Sequence, residues 1–167
     1  MRRQLTADEL DALYRSVGRC IWHIQYLEDA LHTCLTLKIE IRTPGSVPEN
    51  EARELLSKHR RASLGTALNT ASRHAVLPPA LLADLRALKS ERDWLIHRSM
   101  HQDGESLYTT EGRSAVFSRL DTLMERTLEL RDQVVAEIMA FCATHGISAQ
   151  QSERMAREKI ARLRGDA

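Results

Sequence analysis

TADELDALYRSVGRCIWHIQYLEDALHTCLTLKIE, residues Thr6–Glu40, decides the fold. Thr6 followed three residues later by Glu9 is a helix-starting pair, and Leu5 is placed to staple onto Leu10. Leu10, Leu13, Tyr14, Val17, Ile21, Ile24, Leu27, Leu31 and Leu35 then recur at helical spacing. The pattern predicts one helix from about 7 to 40, long enough to imply a bundle or a dimer interface.

The same logic carries outward. RTPGSVPEN (42–50) is a turn cluster. A second helix, or a broken pair, is expected over 50–75 on Leu55, Leu56, Leu64 and Leu68. LPPA (77–80) opens a third, with Pro78 or Pro79 in its first turn, that runs to about 100. HQDGESLYTTEG (101–112) reads as a loop broken by Gly104 and Gly112, before a fourth long helix over about 113–144. Gly146 suits a C-terminal cap. Ser148 and Gln151 form a second capping box that opens a short arginine-rich helix, 149–163. No strand-like alternation occurs. The expected fold is all-α: a bundle of four to five helices with two long antiparallel ones, residues 1–147, and a C-terminal helix, 148–167, packed on it or binding a partner.

Composition narrows the function. The chain has 167 residues, 43% of them hydrophobic and 28% charged, a size at which roughly 70% of the unfolded surface can be buried. A net charge of +1 excludes a global basic field, and 4% aromatic residues exclude a broad base-stacking platform. Cys20, Cys34 and Cys142 lack CxxC spacing and read as buried thiols in a reduced compartment. No stretch is apolar enough to span a membrane, so a cytoplasmic protein is expected.

The chemistry concentrates in SERDWLIHRSMH (90–101). Arg92 and His97 lie five apart, with Asp93 and Leu95 between. At about 100° per residue the two are roughly 140° apart around a helix. Asp93 and His97, four apart, share a face, so the carboxylate is placed to orient the imidazole. A rival set, Asp93, His97 and His101, offers three metal ligands on one face. Asp29 and His32 imitate half of a di-iron motif without its second half. Arg53 and His59 repeat the arginine–histidine pairing without the leucine context and read as a solvated face. KHRR (58–61) and RMAREKIARLR (154–164) are basic enough to touch phosphates, but charge runs of this kind are mostly solvated faces.

The string R-D-W-L-I-H resembles the arginine–polar–x–leucine–x–histidine signature of the HEPN superfamily, which lies near the end of the third helix of an all-α fold. ASLGTALNTA (62–71) is similar to the Leu-Gly segment that many such proteins carry ahead of the motif helix. The resemblance covers most of residues 7–144. It implies an endoribonuclease that needs no metal and no cofactor and works as a homodimer, leaving 2′,3′-cyclic phosphate ends. It implies Arg92 and His97 as catalytic residues supported by Asp93, with RNA as substrate. Arg98, His101 and Tyr108 are then candidate substrate contacts. Toxin–antitoxin or phage-defence roles, with an antitoxin or regulatory protein as partner, follow from the family. The alternatives are a non-catalytic dimerisation or interaction module and a small metal-binding bundle.

Overall fold

Thr6 starts the first helix as its spacing predicts. Its hydroxyl accepts from the Glu9 amide at 3.2 Å, and Glu9 Oε2 accepts from the Thr6 amide at 2.8 Å. In a computed structural model, which describes residues 2–165, α1 spans Ala7–Leu35 and a π-helical segment, Thr36–Ile41, continues it. Thr33 and Thr36 donate back to the Asp29 and His32 carbonyls at 2.9 and 2.8 Å, a competition that loosens the helical ladder. The segment ends at Arg42, whose φ of 59° turns the chain.

The elements that follow are α2 (Glu49–Arg60), α3 (Leu64–Arg73), α4 (Pro79–His97), α5 (Ser99–Asp103), a 3-10 turn (Ser106–Tyr108), α6 (Thr110–Thr144) and α7 (Ala149–Arg164). No strand occurs among the described residues. Among the described residues seven α-helices stand where four to five were expected, for two reasons. Ser63 caps a new helix by accepting from the Thr66 amide at 3.2 Å, so 50–75 takes the broken-pair alternative, as α2 and α3. The chain also breaks at Arg98 and resumes as α5, so 101–112 is not the open loop its composition suggested. Gly112 does not break α6; it lies inside the first turn, held by the Thr109 cap at 3.1 Å.

Opposed contacts set the helix directions. Glu9 faces Arg113, the Cys20 thiol donates to the Leu120 carbonyl, and Lys38 pairs with Glu137. Residue numbers rise together along both helices, so α1 and α6, the two long helices, run parallel, not antiparallel as expected. The reason is α4. Arg119 meets Glu91 and Arg126 meets Asp84, so α4 runs opposite to α6 and therefore opposite to α1.

The parallel pair forms the largest interface. Along α6 the buried positions are Arg113, Val116, Leu120, Leu123, Thr127, Leu130 and Val134, alternating steps of three and four as in a coiled-coil seam. Cys20, Ile24, Leu27, Leu31 and Leu35 supply the facing stripe. Arg113 is 6% exposed; it donates to the Leu107 carbonyl at 3.1 Å and the Thr110 hydroxyl at 3.2 Å, and Glu9 at 3.5 Å balances its charge. On the other side, α2 docks on α1 through a two-pronged Arg60–Asp29 pair and on the π segment through a His59–Glu40 contact at 3.1 Å. Half of the KHRR cluster is thus spent on packing. At the far end Ser148 and Gln151 form their capping box, and Gly146 takes a φ of 80°.

Candidate active site at the end of α4

Trp94 positions this end of the molecule. It is 1% exposed, its indole N–H donates to Asp103 at 2.7 Å, and the Arg119 guanidinium stacks 3.6 Å over its ring. Arg119 is itself fixed by Glu91 at 2.8 Å. Ser99 donates to the Leu95 carbonyl at 2.8 Å across the break at Arg98. These ties fold α5 back on α4. Trp94 and Leu95 pack inward, while Ile96 is 43% exposed.

Arg92 is held between two helices. Its Nη1 donates to Asp93 at 3.2 Å, and its Nε faces Glu28 Oε1 on α1 at 3.5 Å. That separation is too long for a good hydrogen bond, and both atoms are buried without another partner. Burial raises the Glu28 carboxyl above its ordinary range, with Arg92 opposing the shift and Asp93 adding to it. Lys89 donates to Asp93, and that bond, followed by the one from Arg92, lowers the Asp93 carboxyl. Two carboxylates therefore orient the guanidinium and leave its Nη2 edge unengaged among the described residues.

His97 closes α4 with its ring exposed. The expected Asp93–His97 pairing does not form, because the Asp93 oxygens are taken by Lys89 and Arg92. Arg98 lies back along its own helix, Nη2 donating to the Ser90 carbonyl at 3.2 Å. His101 is exposed on α5. Tyr108 sits in the 3-10 turn, its carbonyl accepting from the Arg3 amide at 2.9 Å while its ring is 45% exposed.

The metal alternative loses its geometry. Among the described residues no three His, Cys, Asp or Glu side chains are grouped to hold an ion. Asp93 is committed to cations, and the break at Arg98 separates His97 from His101. Asp29 is likewise taken by Arg60, and His32 is buried, its imidazole pushed toward the neutral form by that burial.

Glu28 and Lys89 escaped the sequence reading. Glu28 carried a signal: it stands four residues after Ile24 and seven after Ile21, on the border of an apolar stripe, where a charge needs a partner. Compared with protein-family models, characterised proteins and solved structures, the chain gives no match.

Proposed function

We propose that the chain is a metal-independent endoribonuclease of the HEPN type, acting as a homodimer whose two copies share one Arg/His cleft. One observation carries this reading. A single helix end presents an arginine oriented by two carboxylates and, five residues on, an exposed imidazole.

The chemistry needs little more. The ribose 2′-hydroxyl attacks the adjacent phosphorus while one His97 takes its proton. The P–O5′ bond breaks, and a protonated His97 of the other copy supplies the proton for the departing oxygen. Arg92 stabilises the charge growing on the phosphate oxygens through its unengaged edge. Asp93 supports Arg92 rather than His97 in this arrangement. Arg98, His101 and Tyr108 border the cleft as substrate contacts. One copy holds one arginine and one histidine, so a second copy completes the set. Exposed apolar groups for that meeting stand nearby in sequence: Ile96 at 43% and Met100 at 84%, on either side of His97. Free Cys20, Cys34 and Cys142 suit a reducing cytoplasm, and among the described residues no helix is long and apolar enough to cross a membrane. An antitoxin or regulatory protein would act by covering the cleft.

The second reading, a non-catalytic interaction module, draws on the charge balance. Lys89, Arg92, Glu28 and Asp93 neutralise one another, which is also what a purely structural network does. Incubation with RNA in EDTA separates the two. Cleavage with 2′,3′-cyclic phosphate ends, lost in Arg92→Ala and His97→Ala, supports the ribonuclease. Unchanged cleavage in both variants sinks the site assignment.

A further inference from the structure

A cavity lies where the π segment continues α1, lined also by α2 and α7. Its floor is apolar: Leu37 and Ile41 from the π segment, Leu56 from α2 and Leu163 from α7. Its volume is about 420 Å³, within the roughly 300–1,000 Å³ range of small-molecule sites. Its rim is one-sided in charge. Arg53, Lys159 and Arg162 face a single carboxylate, Glu49, which Arg53 already engages. These cations, Arg53 first, hold the Glu49 carboxyl below its usual range. Lys159 has no ion-pair partner among the described residues, and Arg162 makes one long bond, 3.5 Å, to the Glu158 carbonyl.

The wall made by α7 is lightly used. The helix buries no residue, and its apolar Ile160 and Leu163 are 48% and 79% exposed. A hydrocarbon ligand would strip water from Lys159 and Arg162 without replacing it. A bare anion would leave the apolar floor wet. A ligand with both parts satisfies both.

We propose that this cleft binds a small amphiphilic anion, a medium-chain carboxylate. Its chain lies on Leu37, Ile41, Leu56 and Leu163, and its head group sits between Lys159 and Arg162. Each methylene taken from water strengthens binding by about fourfold, so affinity rises with chain length until the cavity is full. The proposal stands apart from the RNA-cleavage reading and does not depend on it.

Isothermal titration of the full chain tests it, with octanoate and decanoate as ligands and decyltrimethylammonium and inorganic phosphate as controls. The expected result is one saturable site that takes decanoate about fifteenfold more tightly than octanoate and neither control. Lys159→Glu with Arg162→Glu weakens decanoate at least tenfold. So does Ala52→Phe, which fills the cleft without changing its charge, and both variants keep wild-type helicity by circular dichroism. Equal binding of decyltrimethylammonium, saturation by phosphate alone, decanoate affinity unchanged in both variants, or no saturable decanoate binding overturns the assignment.

Discussion

Burial raises the Glu28 carboxyl even with the Arg92 guanidinium 3.5 Å away. The folded chain then holds the Glu28 proton more tightly than the unfolded chain does. Stability from this group falls as pH rises from the ordinary carboxylate value through the raised one, and the loss is complete above it. Glu28→Gln removes that cost. The variant should melt at or above the wild-type temperature at pH 7.5, and the advantage should shrink as pH falls toward 4.5; thermal melts across that range decide it. Trp94 makes a larger prediction, since its ring is buried, stacked and hydrogen-bonded. Trp94→Ala should cost about 3–5 kcal/mol in urea unfolding. Trp94→Phe should cost about 1–2 kcal/mol, chiefly from the lost indole bond. Residue types and positions at this site were legible in the sequence, but the pairing was not. Helical spacing offers Asp93 to Lys89 on one side and His97 on the other, each four residues away. The ammonium carries a full charge on a flexible stem, so Lys89 takes the carboxylate. Glu28 comes from another helix, and no local rule joins it to Arg92.

Two helix starts followed from the sequence because a complete capping box marks them. Thr6 with Glu9 and Ser148 with Gln151 each close their boxes within three residues. Breaks with a tertiary cause did not. Residues 101–112 carry loop composition, yet the Trp94–Asp103 bond and the Thr109 cap fold them into α5, a 3-10 turn and the start of α6. Gly112 shows the difference. A Cβ there would stand 2.2 Å from the Ser106 carbonyl oxygen, whereas one at Gly18 on α1 meets nothing within 4 Å. Gly112→Ala should therefore destabilise by about 1–3 kcal/mol through forced backbone movement. Gly18→Ala should stabilise by about 0.5–1 kcal/mol through helix propensity. Chemical denaturation of the two variants side by side checks both signs.

At the scale of the molecule, the all-helical class was legible from periodicity, but the direction of the long helices was not. Heptad-like spacing in α6 and the matching stripe on α1 suit a parallel seam as well as an antiparallel one. Only the returns through α2, α3 and α4 decide between them. That arrangement leaves the outer face of α1 uncovered: Tyr14, Trp22 and Tyr26 are 66%, 59% and 50% exposed. These side chains, with Ile96 and Met100, are the surface we assign to the second copy. The composite site we propose would make activity a property of the dimer, so the rate of RNA cleavage per protomer, measured against protein concentration, tests the account most directly. The account predicts a rate per protomer that climbs with concentration, levels off as sedimentation shows dimer, and falls in Trp22→Asp with the dimer. A constant rate per protomer from a protein that sediments as monomer would contradict it.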